Sequence, residues 1–517
     1  MLSFFLFLPL VGLLILITLP ERFKNYFKWL ALGTTILQLI LLVGIILPKY
    51  WANYQNGLVG GKELVNFPIY EKADWIVLNL GQLGKLQMDY IVALDGINVL
   101  MVILTAIILP IAVVASWKVE DKPRSYFALI LLLATALQGC FIAFDLFLFY
   151  IFYECMLLPM FFLIGGWGSI HKEYAAMKFF IYTLLGSVSM LLVIIGLVFS
   201  YKVGDTYSFN LLSLQNPANL LANSIFSNAD MRQWAFWGMF LAFIIKLPSV
   251  PFHTWLPDAH VEASTPISVI LAGIFLKVGG YGLIRFCQGI FPQEWTCFSF
   301  YIGLLGTISI VYGALLALGQ KDLKRLVAYS SVSGMGFVLL GLASSNPTAL
   351  NGSILQLFNH GILSAMLFLL VAVLYDRVSD RQIAHFEGLW QIMPRFTFFF
   401  AIAFFAGLGL PSFSIFVSEM LILAGVLQAI NNQHFLHQTF IIGAVMGIIL
   451  STGYFLWAFQ RMFLGKINLK SPDYQPKLTD LTPREIILLS ILGFLLLLLG
   501  IFPSLTIDWI QKTIVIN

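Results

Sequence analysis

Residues 240–284 read FLAFIIKLPSVPFHTWLPDAHVEASTPISVILAGIFLKVGGYGLI, and they decide how the rest of the chain is to be understood. Lys246 and Lys277 each sit inside an apolar run long enough to cross a bilayer. A charge at that depth costs about 3 kcal/mol or more unless it finds a partner or sheds its proton, so a lysine there marks function. Pro248 and Pro251 interrupt the first run. Proline removes the donor for the carbonyl four residues back, which releases Ile244 and Leu247 on either side of Lys246. Released backbone at membrane depth persists only where protein or water satisfies it. The stretch describes a polar spot inside a membrane.

The composition agrees. Of 517 residues, 60% are hydrophobic and 10% charged, against about 25% charged in soluble globular chains. The chain reads as an all-α polytopic membrane protein. A net charge of +4 is too small to imply a nucleic-acid partner. Cys140, Cys155, Cys287 and Cys297 form no C-x-x-C or other ligand spacing, so no metal or redox centre is expected, and they read as packing residues. The N-terminal MLSFFLFLPLVGLLILITLP has neither a basic leader nor a small-residue cleavage site, and reads as a first spanning helix.

Hydropathy predicts fourteen spans, at 2–19, 27–47, 91–116, 126–144, 146–166, 174–200, 234–256, 266–288, 298–319, 326–343, 349–375, 397–428, 438–463 and 483–502. With the N-terminus outside, nineteen of the 29 Lys and Arg fall on inward ends and loops and eight (Lys62 among them) on the outward side. The remaining two are Lys246 and Lys277. Positive charge inside then places both termini outside, on the periplasmic or lumenal side. Only 48–90 and 201–233 are long outward loops, too short for catalytic domains. The chemistry is therefore expected within the membrane.

A second interrupted span contains Pro411 in GLGLPSFS, five spans after the first. Paired, broken spans point to an ion or substrate path between repeats. The expected organisation is an N-terminal three-helix segment (1–116), two inverted five-helix repeats (126–288 and 298–463), and a C-terminal helix and tail (483–517).

Four charged residues lie well within spans: Glu154, Lys246, Lys277 and Glu419, with His360 as a further titratable group. Groups that desolvation pushes towards neutrality are suited to passing protons singly, and acid, base and imidazole spaced across a bilayer make a relay. Any one of them can equally be a structural ion pair, or in His360 a packing hydrogen bond. Two acids and two bases in separate spans are costly as mere glue. His253, Asp258, His260 and Glu262 fall at the inward end of the broken span, as an entry funnel or a solvated, capped helix end, and the second reading is preferred. Asp95 and Asp145, near span ends, read as interface or capping residues.

KLPSVPFHTWLPDAHVEASTPISVILAGIFLKVGGYGLIR closely resembles the signature of the antiporter-like membrane subunits of respiratory complex I and its relatives. LKRLVAYSSVSGMGFVLLG, FDLFLFYIFYECMLLPMFFLIGGWG and LDGINVLMVILT resemble other segments of that family, so the likeness covers about 91–463. It implies fourteen helices with two inverted five-helix repeats, each with a broken helix. It also implies a proton path through Glu154 and Lys246, the connecting Lys277, His360 on the central axis, and Glu419 in the exit half. Glu419, where other members carry Lys, is similar to the M-type branch, called D in plastids and cyanobacteria. One departure stands out: the family often reads SSxxHMGF where this chain has SSVSGMGF, so Gly334 occupies a usual histidine position. Water, Ser331 or Ser333 would have to bridge there.

The resemblance implies a redox-driven proton translocase subunit with no redox site of its own. Quinone, iron–sulfur clusters and, where one exists, flavin belong to partner subunits. Expected partners are other antiporter-like and small membrane subunits, a peripheral redox arm reached through them, and lipids. The bacterial inner membrane is the first expectation, with thylakoid and mitochondrial inner membranes as alternatives. The competing functions are a multisubunit cation/proton antiporter, a membrane-bound hydrogenase or carbon-dioxide-hydrating variant, and a non-conducting scaffold.

Overall fold

The computed structural model describes residues 1–61, 63–432 and 436–516. Lys62, counted above among the outward cations, and Asn517 of the C-terminal tail lie outside them. Among the described residues eleven helices are long and apolar enough to cross a membrane, and Leu2–Thr18, Val99–Ala115 and Pro394–Gly407 are shorter apolar helices. Thr265–Gln288 is buried along its whole hydropathic window and Pro347–Val378 nearly so, whereas Thr439–Phe463 and the N-terminal Glu21–Gln55 are largely open to their surroundings. The two buried helices form the axis, and the exposed apolar faces suit lipid or other subunits.

Small residues let the axial helices touch. A Cβ on Gly361 would lie 2.7 Å from the Gly273 carbonyl, and one on Gly279 would lie 2.5 Å from the Leu247 amide. Such close crossings are a common way for membrane helices to pack without a hydrophobic driving force. The first brings Pro347–Val378 against Thr265–Gln288 one turn from Lys277. The second brings the same helix against the break after Lys246.

Four predicted spans are shaped differently from expectation. The span at 91–116 begins as strand: Lys85–Leu94 pairs antiparallel with Ile69–Asn79 and parallel with Thr206–Ser208, and the helix starts only at Val99. Asp95 Oδ1 accepts from the amides of Ile97 and Asn98, and Asn98 Nδ2 ties the carbonyls of Ala93 and Phe141, which fixes a turn there. The span at 234–256 stops at Lys246 and resumes at Trp255. The span at 397–428 is two helices, Pro394–Gly407 and Ser414–Asn431. The span at 146–166 is interrupted at Met156, next to Glu154. Pro159 accounts for it by removing the donor to the Cys155 carbonyl.

Both chain ends lie at the hairpin end of the molecule. The N-terminal ammonium pairs with Glu71. In the C-terminal helix Ser504–Ile516, Thr513 Oγ1 accepts from the Gly96 amide at 3.1 Å and donates to the Val59 carbonyl at 2.7 Å. Strand Ile69–Asn79 is an edge of the three-stranded sheet and exposes Tyr70, Trp75, Val77 and Leu78.

Candidate functional site

The first break keeps its backbone satisfied from within. The Ile244 carbonyl released by Pro248 accepts from the Ser249 amide at 3.2 Å. The Leu247 carbonyl released by Pro251 accepts from Ser249 Oγ at 2.9 Å, and Trp255 Nε1 donates to the Ile245 carbonyl at 2.9 Å. Ser309 Oγ accepts from the Val250 amide at 3.0 Å. These bonds hold Lys246 at a helix C-terminus, where the aligned carbonyl dipoles favour a cation.

Lys246 is 1% exposed, and its Nζ lies 3.1 Å from the centre of the Tyr153 ring and 4.7 Å from that of Phe275. Tyr153 is fixed by its hydroxyl, which donates to the Ala242 carbonyl at 3.1 Å. The expected ion pair between Lys246 and Glu154 is absent among the described residues. Glu154 Oε1 is buried with no hydrogen-bond partner. The reason is helical geometry: consecutive residues point about 100° apart, so Tyr153 and Glu154 cannot both face Lys246. The aromatic face is the nearer partner, and an ammonium over a desolvated ring gains about 2 kcal/mol.

Lys277 lies between two π-helical turns, Leu271–Phe275 and Leu283–Gln288. Its Nζ donates to the Ala272 carbonyl and lies 3.0 Å from His360 Nδ1. Lys277 and His360 are thus joined directly, by the Gly273–Gly361 crossing.

Glu419, on Ser414–Asn431, is buried and makes no hydrogen bond to protein among the described residues. Gly409, in the second break at φ +76°, leaves room for it: a Cβ there would sit 3.0 Å from Glu419 Oε2. Glu419 and His360 face one cavity of about 30 Å³, also lined by Gly334, Gln356 and several serines. That is room for about two water molecules.

The inward cluster divides. Asp258 pairs with Lys178 at 2.7 Å and with Arg325 at 3.6 Å. Glu262 accepts from the His171 amide at 2.9 Å, and its carbonyl from Ser169. These two acids clamp loops. His260, expected at a solvated helix end, is fully buried, stacks on Phe368 at 4.4 Å, and neither ring nitrogen has a hydrogen-bond partner. His253 is buried against Tyr312 and Tyr329. The helix packing closes over this end, so the solvated-cap reading fails for both histidines.

Three features escaped the sequence reading. Tyr153 under Lys246 looked like one aromatic among many. Lys324, assigned to an inward loop, is 4% exposed and donates to the Ala263 carbonyl at 2.7 Å. Asp95 is a helix-start residue, as expected, but also binds Arg285 Nη2 through both oxygens at 2.6 and 2.7 Å, with the guanidinium over Phe144. Of the four cysteines, Cys155 and Cys297 are exposed rather than packed.

A polytopic helical protein with two proline-interrupted helices, and with lysines, a histidine and a glutamate buried near them, has the construction of an ion-path membrane subunit. The family follows from the comparison of sequences. Residues 143–447 match the family described as NADH:quinone oxidoreductase/Mrp antiporter, TM, and the chain belongs to it. It is 36% identical to NADH-quinone oxidoreductase subunit M of Rhodobacter capsulatus, over 99% of this chain and 95% of that one. It is 37% identical to NAD(P)H-quinone oxidoreductase chain 4 2 of Thermosynechococcus vestitus, over 96% and 88%. A chain of respiratory complex I from Thermus thermophilus superposes with a TM-score of 0.80 at 27% identity, covering both chains fully. A chain of the Mrp complex from Dietzia shares the fold at a TM-score of 0.78 and 20% identity.

Proposed function

We propose that the chain is the M-type, proton-translocating subunit of a complex I-type quinone oxidoreductase. Electrons pass through partner subunits, and this chain moves protons across the membrane in response. The carrying observation is the buried series Lys246, Lys277–His360 and Glu419, set at two helix breaks and joined in part by direct contact and by a polar cavity.

Lys246 holds a proton against the Tyr153 face, with Glu154 one residue beyond. A change in charge nearby releases it towards Lys277. Lys277 and His360 share a proton across 3.0 Å, and Glu419 receives it on the exit side. The titration of such close groups belongs to the set rather than to single residues. The repeats at 126–288 and 298–463 belong to the same proposal, as do the placement of both termini outside and the bacterial inner membrane as location. The exposed edge strand Ile69–Asn79 supports a neighbouring subunit, since an unpaired apolar edge invites strand addition.

The test is Lys246→Ala in the intact complex reconstituted in vesicles. The complex assembles at wild-type mass, and proton uptake coupled to quinone reduction is lost. Near-normal uptake in an assembled Lys246→Ala complex refutes the role.

A further inference from the structure

His360 is turned so that its two ring nitrogens face different partners. Nδ1 meets Lys277, while Nε2 and Cδ2 face Gly334: a Cβ on residue 334 would lie 3.2 Å from Nε2 and 2.8 Å from Cδ2. The ring therefore occupies the space that a side chain at 334 would need. Beyond it lies the cavity that ends at Glu419.

The lining of that cavity is chemically one-sided. Ser330 and Ser331 donate their hydroxyl hydrogens to the Val327 carbonyl, at 2.8 and 3.2 Å. Ser333 donates to Ile310 at 2.9 Å, Ser364 to Gly361 at 3.2 Å and Ser451 to Ile448 at 2.8 Å. A hydroxyl has one hydrogen and two lone pairs. With every one of these hydrogens committed to backbone, the serines present lone pairs to the cavity. An acceptor-rich wall stabilises water that carries an excess proton and offers nothing to an anion.

Resting on the relay reading above, we propose that this cavity is a hydrated-proton site, opened by Gly334 and walled by Ser331 and Ser333, that carries the proton between His360 and Glu419. A proton enters the ring at Nδ1 from Lys277, and the Nε2–H bond breaks as a water oxygen takes the other proton. The resulting hydronium gives a proton to the Glu419 carboxylate, forming one O–H bond and restoring neutral water. No oxidant or other reactant is needed. Glycine replaces the common histidine because the bridge is water, and a side chain would displace both the water and the His360 ring.

The experiment compares Gly334→His, Gly334→Ala and the Ser331→Ala/Ser333→Ala double variant with wild type, in the intact complex in vesicles. Proton uptake per quinone reduced, its solvent deuterium isotope effect, native mass and sodium dependence are read together. Both Gly334 variants lower uptake about tenfold or more, with histidine no better than alanine. The serine variant, which leaves the helix backbone and Gly334 untouched, lowers uptake several-fold and raises the isotope effect in a complex of wild-type mass. Wild-type uptake in Gly334→His, or a serine variant with unchanged uptake and isotope effect, overturns the proposal. Uptake that requires sodium overturns it too, assigning the oxygen-lined cavity to a metal cation. Glu419→Gln separates the two levels: if it is inert the relay reading itself fails, and if it blocks uptake while the cavity variants do not, only the bridge fails.

Discussion

Removing the charge of Asp95 alone is predicted to damage the protein more than removing Asp95 and Arg285 together. The pair is almost wholly enclosed, Asp95 at 1% and Arg285 at 6% exposure. Asp95 takes four hydrogen bonds, two from Arg285 Nη2 and two from the amides of Ile97 and Asn98. Asp95→Asn keeps an oxygen for the two amides but leaves a buried guanidinium without its counter-charge, a loss of about 3–5 kcal/mol. Arg285→Met keeps the apolar stem between Phe144 and Tyr281 and leaves a carboxylate still held by two amides, so its cost lies near the lower end of that range. The double variant carries no stranded charge and is expected within about 1 kcal/mol of wild type, because well-packed neutral replacements for buried ion pairs are often tolerated. At roughly 2 °C per kcal/mol or less for a chain of this size, the Asp95→Asn midpoint falls by up to about 10 °C. The assay is thermal dissociation of this subunit from the detergent-solubilised complex for the four forms of the cycle. A double variant as unstable as the sum of the two singles refutes the reasoning, and would show that each residue acts through contacts outside the pair.

Two further outcomes follow from the geometry. Tyr153→Leu is expected to lower coupled proton uptake about tenfold, while Tyr153→Phe, which keeps the ring under Lys246 and loses only the bond to Ala242, retains most of it; a dye-quench assay in vesicles distinguishes them. At the inward loops, burial would raise the Asp380 carboxyl, but hydrogen bonds from the Gln382 amide, His385 and Tyr474 hold it below its usual 3.8. A lowered folded-state value stabilises the loop at all pH above the unfolded value, and the contribution disappears as pH falls through the folded one. Hydrogen exchange over 380–391 is therefore expected to stay slow at pH 5 and quicken only below about pH 3.8, and Asp380→Asn to be fast throughout; equal exchange in both forms would remove Asp380 from that role.

What could be read from sequence was whatever depends on neighbours along the chain. Pro248, Pro251 and Pro411 act on carbonyls four residues away, and the breaks lie where they predict. Pro159 carries the same information, yet the apolar run around it concealed a break beside Glu154. The strand over 85–94 alternates and is flanked by Gly81, Gly84 and an Asp–Gly turn, but its apolar end at 90–94 merged with the helix beyond. In both cases mean hydropathy outweighed a local punctuation signal, because a membrane span and a buried strand end have the same composition. The histidines failed for another reason: whether a helix end is wet depends on what packs over it, here Phe368 for His260 and two tyrosines for His253.

Pairing was not legible, and pairing is what gives the site its chemistry. The residues expected to carry charge through the membrane are buried at helix breaks and crossings, but the partners differ from those that charge alone suggests. Lys246 meets a ring rather than the neighbouring carboxylate, because the helix turns Tyr153 towards it and Glu154 away. Lys277 meets a histidine 83 residues on, through two glycines that allow the crossing. Arg285 meets an aspartate 190 residues away. In each case the sequence supplies an ionisable group and a small residue or proline nearby, and the small residue decides who the partner is. Gly334 carries this furthest. Read as a missing histidine it looks like a gap in the relay. Set against the His360 ring, it is the reason the ring can lie between Lys277 and an acceptor-lined cavity. The identity of a relay is therefore written as much in the residues that make room as in those that bind protons.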